Sequence, residues 1–483
     1  MSVVGAVTTT GIYCRPGCGG RPKPSNRRTY PSAAAAEAAG FRACLVCRPY
    51  RDALSIPWDG PDVVCRAVSL ILDGALDRGN EPEMAARLGV SDRHLRRLFA
   101  EHVGATPDEV ARSSRAHFAR RLLDDTDLTV AEIAFATGFG SIRQFNRVCQ
   151  EVFRFPPSEL RRRRRRGDRL VTDGGLLVRL PFRAPLDWDA ALGYLAERAV
   201  PGVERVEDGT YRRTADVDGD PAVLEFLLGG ADHLLLRLHL PHWEGLMHIV
   251  QRARRVFNLD AGARAAAKLL ERDPVLGGFV SDRPGARAPG TWDPFESGVQ
   301  IVLAASAGRG DARQAMAAVV ERLGRQVPGL GPLGLTHVFP GPAAVASCEE
   351  APPGVSPDAW RAARAFAQAV SEGTLWLDGS EPLDSLLPSL AALRGWDRQS
   401  AEQVAYRIGE PDAFPSGDPG LLRSLSRALR RDVGSVEAAA LAQRWSPVRA
   451  HAAAHLIAGA RPRVREVSPE PAVPEGARSR RAG

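Results

Sequence analysis

Lysine is nearly absent from this 483-residue chain: only Lys23 and Lys268 occur, so almost all of its 64 basic side chains are arginine. Methionine is rare, at four residues, and aromatic residues make up only 6% of the chain. The Ala/Arg/Gly/Pro bias that accompanies these shortages matches a GC-rich coding preference, so arginine abundance by itself identifies no partner. No apolar run approaches the roughly 18 residues of a membrane-spanning helix, and the start has no basic-then-apolar signal pattern. The expected location is the cytoplasm, where thiols stay reduced, and seven cysteines there do not predict a disulfide framework. What the chain does have is ordinary globular content, 44% apolar and 25% charged, at a length that suggests roughly three domains.

The charge is unevenly spread. Residues 1–169 carry 28 Lys+Arg against 19 Asp+Glu, a balance of +9, while the remainder carry 36 against 38, a balance of −2. Coding bias acts equally on both parts, so the asymmetry survives it. A basic front third predicts an anionic partner, most simply nucleic acid.

Four of the seven cysteines fall in the first 47 residues, as Cys14-x3-Cys18 and Cys44-Leu-Val-Cys47. Two short-spaced pairs separated by a loop are how four thiolates converge on Zn²⁺; the alternative is a scatter of small core residues. Cys65, Cys149 and Cys348 stand alone in helical patterns and are expected to be buried. Around the paired cysteines lie Arg15, Arg21, Lys23, Arg27, Arg28, Arg42, Arg48 and Arg51, against only Glu37 and Asp52.

The stretches Thr9-Thr10-Gly11-Ile12-Tyr13-Cys14-Arg15-Pro16-Gly17-Cys18 and Ala39-Gly40-Phe41-Arg42-Ala43-Cys44-Leu45-Val46-Cys47 closely resemble the Ada-type methylphosphotriester-repair domain. The resemblance covers residues 3–52 and all four cysteines. It implies that Cys14, Cys18, Cys44 and Cys47 bind Zn²⁺, that Arg15 and Arg42 face DNA, and that Cys14 irreversibly accepts a methyl group from a methylated DNA phosphate. Four thiolates on Zn²⁺ total −2, and methylating one leaves −1, which strengthens binding to phosphates. Only 13 residues precede Cys14, fewer than the family usually has, so an abbreviated or misassigned start and a weakened domain are expected.

Two further segments share a pattern. Ala85, Gly89, Val90 and Ser91, and then Ala134, Gly138, Phe139 and Ser141, each give a small residue, a turn glycine, an apolar residue and a helix cap, as in a helix-turn-helix. One such unit is also an ordinary helical hairpin; two, joined by a helix over about 108–124, are far more specific. The pair resembles the AraC-type DNA-binding domain across residues 64–163, with recognition helices near 91–101 and 141–151. That implies groove contacts by Arg93, His94, Arg96, Arg143, Gln144 and Asn146, and phosphate contacts by Arg97 and Arg147. The run Arg161–Arg166 marks a boundary, as a solvated linker or as an added grip on the DNA backbone.

Behind it, 176–180, 222–227 and 234–240 read as strands and 187–199 and 243–257 as helices. From 294 onward the pattern is mainly helical. Leu393-Arg394-Gly395-Trp396-Asp397-Arg398, followed by Asp412-Ala413-Phe414-Pro415-Ser416-Gly417-Asp418, is a tight turn opening a helix and then an aspartate beyond a short loop. This resembles the helix-hairpin-helix glycosylases of the AlkA class, over about 170–458. The resemblance implies that the turn at Gly395 and Asp397 meets a DNA phosphate, and that Asp418 supports cleavage of the glycosidic bond of a flipped alkylated purine. Asp418 could instead only cap the helix that starts at Pro419.

Departures from that class are specific. Asp397 stands where a second glycine is usual. Ala304–Gly308 offers no bulk to fill the gap left by a flipped base. Gln399, Gln403 and Ile457 occupy positions where electron-rich aromatics usually stack on a cationic base, forfeiting about 0.5–2 kcal/mol each.

The expected fold is therefore multidomain α+β. It comprises a small Zn(Cys)4 domain (1–56), an all-α double helix-turn-helix domain (62–163), an α+β, TBP-like subdomain (170–290), an all-α helix-hairpin-helix glycosylase domain (291–458) and a disordered tail (459–483). The expected function is DNA alkylation repair and response: methylphosphotriester sensing, transcription regulation and excision of alkylated purines of the 3-methyladenine type. The alternative is a damage-responsive regulator with a non-catalytic glycosylase domain. Expected partners are double-stranded DNA and RNA polymerase, with a monomeric chain in the cytoplasm on the nucleoid and no membrane. No second Pro-Cys-His-Arg-type site occurs, so direct O6-methylguanine repair is not expected.

Overall fold

The computed structural model describes residues 3–20, 22–52, 61–165, 167–172, 174–260 and 262–461, without the side chains of residues 78 and 307–310. Residues 462–483 of the expected tail lie outside the described residues.

The first four strands form one sheet in the order β3-β1-β2-β4: β1 Val4–Val7, β2 Ile12–Cys14, β3 Arg27–Tyr30 and β4 Arg42–Ala43. The 13 residues before Cys14 thus supply β1 and most of β2, the two central strands. Gly11, at φ 63, closes the turn between them, a conformation that favours glycine. β2 and β4 run parallel with Tyr13 opposite Ala43, and the Cys44 amide donates to the Tyr13 carbonyl at 3.0 Å. That register sets Cys14 beside Cys44.

Behind this sheet stand the two helix-turn-helix units, Glu81–Arg87 with Asp92–His102 and Val130–Ala136 with Ile142–Phe153. The predicted caps are present: the Ser91 and Ser141 hydroxyls accept from the amides of His94 and Gln144 at 3.2 and 3.1 Å. Leu95 and Phe99 on one second helix, and Phe145, Val148 and Phe153 on the other, are buried. The joining helix, Pro107–Asp125, opens on a capping box between Thr106 and Glu109. It also carries His117, whose Nε2 lies 2.7 Å from Glu37 and 3.0 Å from the Tyr13 hydroxyl, itself 2.5 Å from Glu37. This buried trio ties the cysteine-bearing sheet to the helical unit.

Arg161 and Arg162 of the run end the helix Pro157–Arg162, and Arg162, Arg163 and Arg165 are exposed while also reaching acceptors within the protein. Arg161 bonds to the Leu128 carbonyl and Arg162 to Glu159; Arg163 reaches Glu159 at 2.9 Å, Arg164 Asp127 at 3.1 Å and Arg165 the Val46 carbonyl at 2.9 Å. Arg162 and Arg163 thus bond within their own segment, Arg161 and Arg164 to the loop before Val130, and Arg165 alone to the cysteine-bearing unit. Arg166 lies outside the described residues.

A five-stranded antiparallel sheet follows in the order β5-β9-β8-β7-β6, with β5 Leu176–Pro181, β6 Glu204–Glu207, β7 Thr210–Val217, β8 Asp220–Leu228 and β9 His233–His239. β6 and β7 are additions to the sequence reading. Their charged residues hide a strand pattern because Arg213 is buried, bonded to Glu204 at 3.0 Å and Glu296 at 2.8 Å. The rear is mainly helical, built on the long helix Pro294–Leu323, with Leu383–Ala391 and Arg398–Ile408 forming the expected hairpin.

Regulatory and rear units touch. Arg66, on the helix Asp62–Leu72, grips Glu410 through two bonds of 2.9 and 2.8 Å and donates to the carbonyls of Gly379 and Glu381. Asp73 pairs with Arg255, and Asp77 with His248 at 2.7 Å. None of the seven cysteines is in a disulfide; of the three lone ones only Cys149 is buried, whereas Cys65 and Cys348 are partly exposed. Cys348 does not sit within a helix but caps the end of Pro342–Ser347, where it meets solvent.

Candidate functional site

The four sulfurs of Cys14, Cys18, Cys44 and Cys47 all lie within 4.8 Å of one another. A tetrahedral Zn²⁺ with bonds of about 2.3 Å spaces its sulfurs about 3.8 Å apart, so the set fits that ion. Electrostatics agree. Burial, then the neighbouring Cys44 and Cys47 sulfurs, push the Cys14 thiol up; burial likewise pushes Cys47 up to about 12. Burial raises Cys44, but the amides of Cys47 and Val46 and hydrogen bonds from the Cys14 and Cys47 thiols together bring it down. A sulfur cluster this close needs a cation to be held as thiolate. Cys14 is half-buried at the strand end, and Arg15 beside it is exposed and paired with Asp52 at 2.7 Å. Arg42 is partly buried and donates to the Ala43 carbonyl at 3.2 Å.

The reading-helix residues differ in what holds them. Arg93 and Arg143 are exposed. Arg96 is clamped to Glu81 of the preceding helix at 2.7 and 3.1 Å, which orients it. Arg97 meets His94 at 3.1 Å. Gln144 accepts from the Gly140 amide at 3.0 Å, Asn146 donates to the Ile142 carbonyl at 2.9 Å, and Arg147 lies 3.8 Å from Glu151.

At the rear, a cavity of about 500 Å³ is lined by Asp418, Asp397, Arg198 and Tyr194, among others. One Asp418 oxygen caps the helix Pro419–Leu429, accepting from the amides of Gly420 at 2.8 Å and Leu421 at 3.1 Å. Its other oxygen lies 3.4 Å from Arg198. The helix-cap role and the cavity-lining position therefore coexist in one side chain. Glu402 steadies the preceding loop, accepting from the Ser416 hydroxyl at 2.7 Å and amide at 3.2 Å.

Gly395 adopts φ 79, and a Cβ there would stand 2.7 Å from that of Ala362, so the turn requires glycine. Asp397 caps the hairpin's second helix, accepting from the Ser400 amide at 2.8 Å. Gln399, Gln403 and Ile457 all line the cavity, as do Ala304 and Ala305. Ala307 and Gly308, from the expected wedge segment, have side-chain positions outside the described residues. Sequence reasoning missed Tyr194, Arg198, Tyr406 and Arg407, which line the same cavity; only the pairing of Arg198 with a residue 220 positions away identifies it.

Three family profiles match the chain: the metal binding domain of Ada over residues 2–50, a helix-turn-helix domain over 84–163 and the AlkA N-terminal domain over 177–293. A probable bifunctional transcriptional activator/DNA repair enzyme AlkA of Mycobacterium tuberculosis is 38% identical over 459 residues, covering 93% of this chain and 91% of that protein. DNA-3-methyladenine glycosylase 2 of Escherichia coli is 26% identical over 294 residues, 57% of this chain and 95% of that one. In structure, a 3-methyladenine DNA glycosylase from Archaeoglobus fulgidus aligns with TM-score 0.50 at 18% identity, over 58% of this chain and 96% of the other, and so shares the rear fold.

Proposed function

The chain belongs to the family of the bifunctional transcriptional activator/DNA repair enzyme AlkA, and from that premise we propose how its parts divide the work on double-stranded DNA. The protein is a DNA repair enzyme and transcription regulator that binds Zn²⁺ through its four-cysteine set. The front unit (1–56) senses backbone methylation. The Cys14 sulfur attacks the methyl carbon of a phosphotriester, the carbon–oxygen bond breaks, and the phosphate oxygen keeps the electron pair. Zn²⁺ there supplies the charge that keeps the sulfur unprotonated at neutral pH. In this reading Arg15 and Arg42 meet the DNA phosphates. The helix-turn-helix unit (62–163) reads promoter DNA with Arg93, His94, Arg96, Arg143, Gln144 and Asn146, and grips phosphates with Arg97 and Arg147. Its regulatory output is to RNA polymerase, and the protein works as a monomer on the nucleoid. Among the described residues, no helix is long and apolar enough to cross a membrane.

The rear units (170–290 and 291–458) excise damaged purines, the alkylated class by likeness to the family. Asp418 carries this reading: it is a carboxylate held at the edge of a 500 Å³ cavity by two amides, suited to stabilising positive charge on a sugar as the glycosidic bond breaks. The hairpin at Gly395 and Asp397 positions the backbone. One observation favours a second reading, a non-catalytic rear domain that only binds DNA: Arg198 stands on the Asp418 carboxylate. Base release from lesion-bearing duplex decides between them. Release that falls about 10³-fold in Asp418→Asn supports excision, and no release from the intact chain overturns it. For the front, a single methyl mass increment on Cys14 after exposure to methylated DNA is expected; its absence ends the sensor reading.

A further inference from the structure

Within the excision reading, on which the inference rests, we propose that Arg66 is a positioning residue for base release: the first reading unit carries the base of the DNA-gripping hairpin and so belongs to the excision machinery. Arg66 lies on the regulator's first helix, Asp62–Leu72. Its guanidinium nevertheless takes hold of the hairpin at both outer ends. Before the first hairpin helix, Leu383–Ala391, Nη1 donates to the carbonyls of Gly379 and Glu381, each at 2.8 Å. Just beyond the second, Arg398–Ile408, Nη1 and Nη2 hold the Glu410 carboxylate at 2.9 and 2.8 Å. Arg66 and Glu410 are both buried. A planar guanidinium meets all these acceptors at once, which a lysine ammonium cannot.

What crosses this junction is polar. The first reading unit closes its own apolar cluster, between Val64 and Ala111, while Leu386, Leu390, Val404 and Ala405 of the hairpin belong to the rear one. A second arginine repeats the grip: Arg87 pairs with Asp378 and lies over the Trp376 ring, 5.0 Å from its centroid. Arg87 ends the helix Glu81–Arg87, at whose start Glu81 clamps Arg96 of the reading helix. One short helix thus has a reading residue at one end and the hairpin's mount at the other. Buried ion pairs rarely add net stability over apolar packing, and their best attested use is to fix register.

Register matters here because the hairpin's second helix is a wall of the cavity: Gln399, Gln403, Tyr406 and Arg407 line it together with Asp418. The 11 residues of that helix make a lever of about 16 Å, with the turn at Gly395 near one end and Glu410 just past the other. A tilt at the base moves the turn, and with it the DNA backbone, relative to Asp418. Misplacement by about 1 Å is enough to cost about 100-fold in rate.

The test uses the full, zinc-loaded chain and duplex DNA methylated with dimethyl sulfate. Arg66→Gln combined with Glu410→Gln removes the clamp without stranding a buried charge. With protein in excess, the maximal rate constant for release of 3-methyladenine and 7-methylguanine should fall about ten-fold. A merely structural role lowers the active fraction, which raises the half-saturating protein concentration and leaves that rate constant unchanged. A rate constant within about three-fold of the intact chain's, whatever happens to half-saturation, overturns the proposal. Melting curves establish that the variant is folded; if it is not, Arg66→Lys, which keeps the charge without the fork, is read by the same rate constant. If the intact chain releases no base, the excision reading falls, and the preference for a duplex with a tetrahydrofuran abasic site over the same duplex undamaged decides instead. A preference lost in the variant upholds Arg66 as the hairpin's positioning residue, and a ratio unchanged between intact chain and variant overturns it.

Discussion

The front cluster and the rear cavity are assembled on different scales. Four sulfurs between Cys14 and Cys47 close into one set through a single parallel strand pairing, whereas the cavity draws on side chains from Tyr194 to Ile457. The front site has every ligand its chemistry requires and depends on short-range register. The rear site keeps its carboxylate and its hairpin, but two amides and an isoleucine, Gln399, Gln403 and Ile457, line it at the positions where aromatics are expected. A site specified by spacing admits little variation; a cavity lined from many helices can be refitted one side chain at a time.

The largest expected effect tests whether the ends are separate. Cys44→Ser should abolish stoichiometric zinc and unfold the front unit, since structural zinc contributes on the order of 10 kcal/mol; metal analysis and near-ultraviolet dichroism of Tyr13 and Tyr50 read this. Base release by the rear should persist, and a parallel loss would break the contrast drawn here. Next, Glu410→Ala strands the Arg66 guanidinium, which would retain only the exposed Asp62 and two carbonyls. A cost of about 3–5 kcal/mol is expected from urea unfolding. A loss under roughly 1 kcal/mol would mean that the regulator's first helix does not brace the loop before Asp418.

A smaller effect separates the ends by pH. Burial, then His455 and Arg287, lower His451 to about 3, and burial lowers His455 to about 4. The folded state keeps both rings neutral while the unfolded chain takes up protons below about pH 6.5. Their contribution is therefore complete above that value and lost as pH falls toward 4. Between pH 6.5 and 5.5 the pair should cost on the order of 2 kcal/mol of stability, confined to the rear, and His451→Gln with His455→Gln should flatten the slope measured by thermal unfolding. The smallest change is local to the reading heads: Ser91→Ala removes one helix cap and should cost about 1 kcal/mol in denaturant titration, with zinc content unaltered.

Legibility in the sequence followed the same divide. The cysteine pairs, the turn glycines Gly89 and Gly138, and the caps Ser91 and Ser141 all act within a few residues, so their spacing discloses them. The Asp418 cap was readable for the same reason. β7 was not, because Arg212 and Arg213 look solvent-seeking until Glu225, Glu204 and Glu296 are brought to them. In the arginine run, three acceptors, Val46, Asp127 and Leu128, are remote in sequence, so those bonds could not be read there. Tyr406 and Arg407 lie inside an ordinary-looking helix, and nothing local marks them as cavity residues.

The buried trio of Tyr13, Glu37 and His117 has a consequence for descent. Arg51 adds to it by pairing with Asp125 at 2.6 Å, and Tyr50 packs edge-on against Phe153 with centroids 5.9 Å apart. A recombination event between residues 52 and 61 would hand each product half of a shared interior, exposing Tyr13 and Tyr50 on one side and leaving His117 without its carboxylate on the other. The cysteine-bearing sheet, the joining helix and the second helix-turn-helix unit thus share one interior, and separating them opens both faces at once.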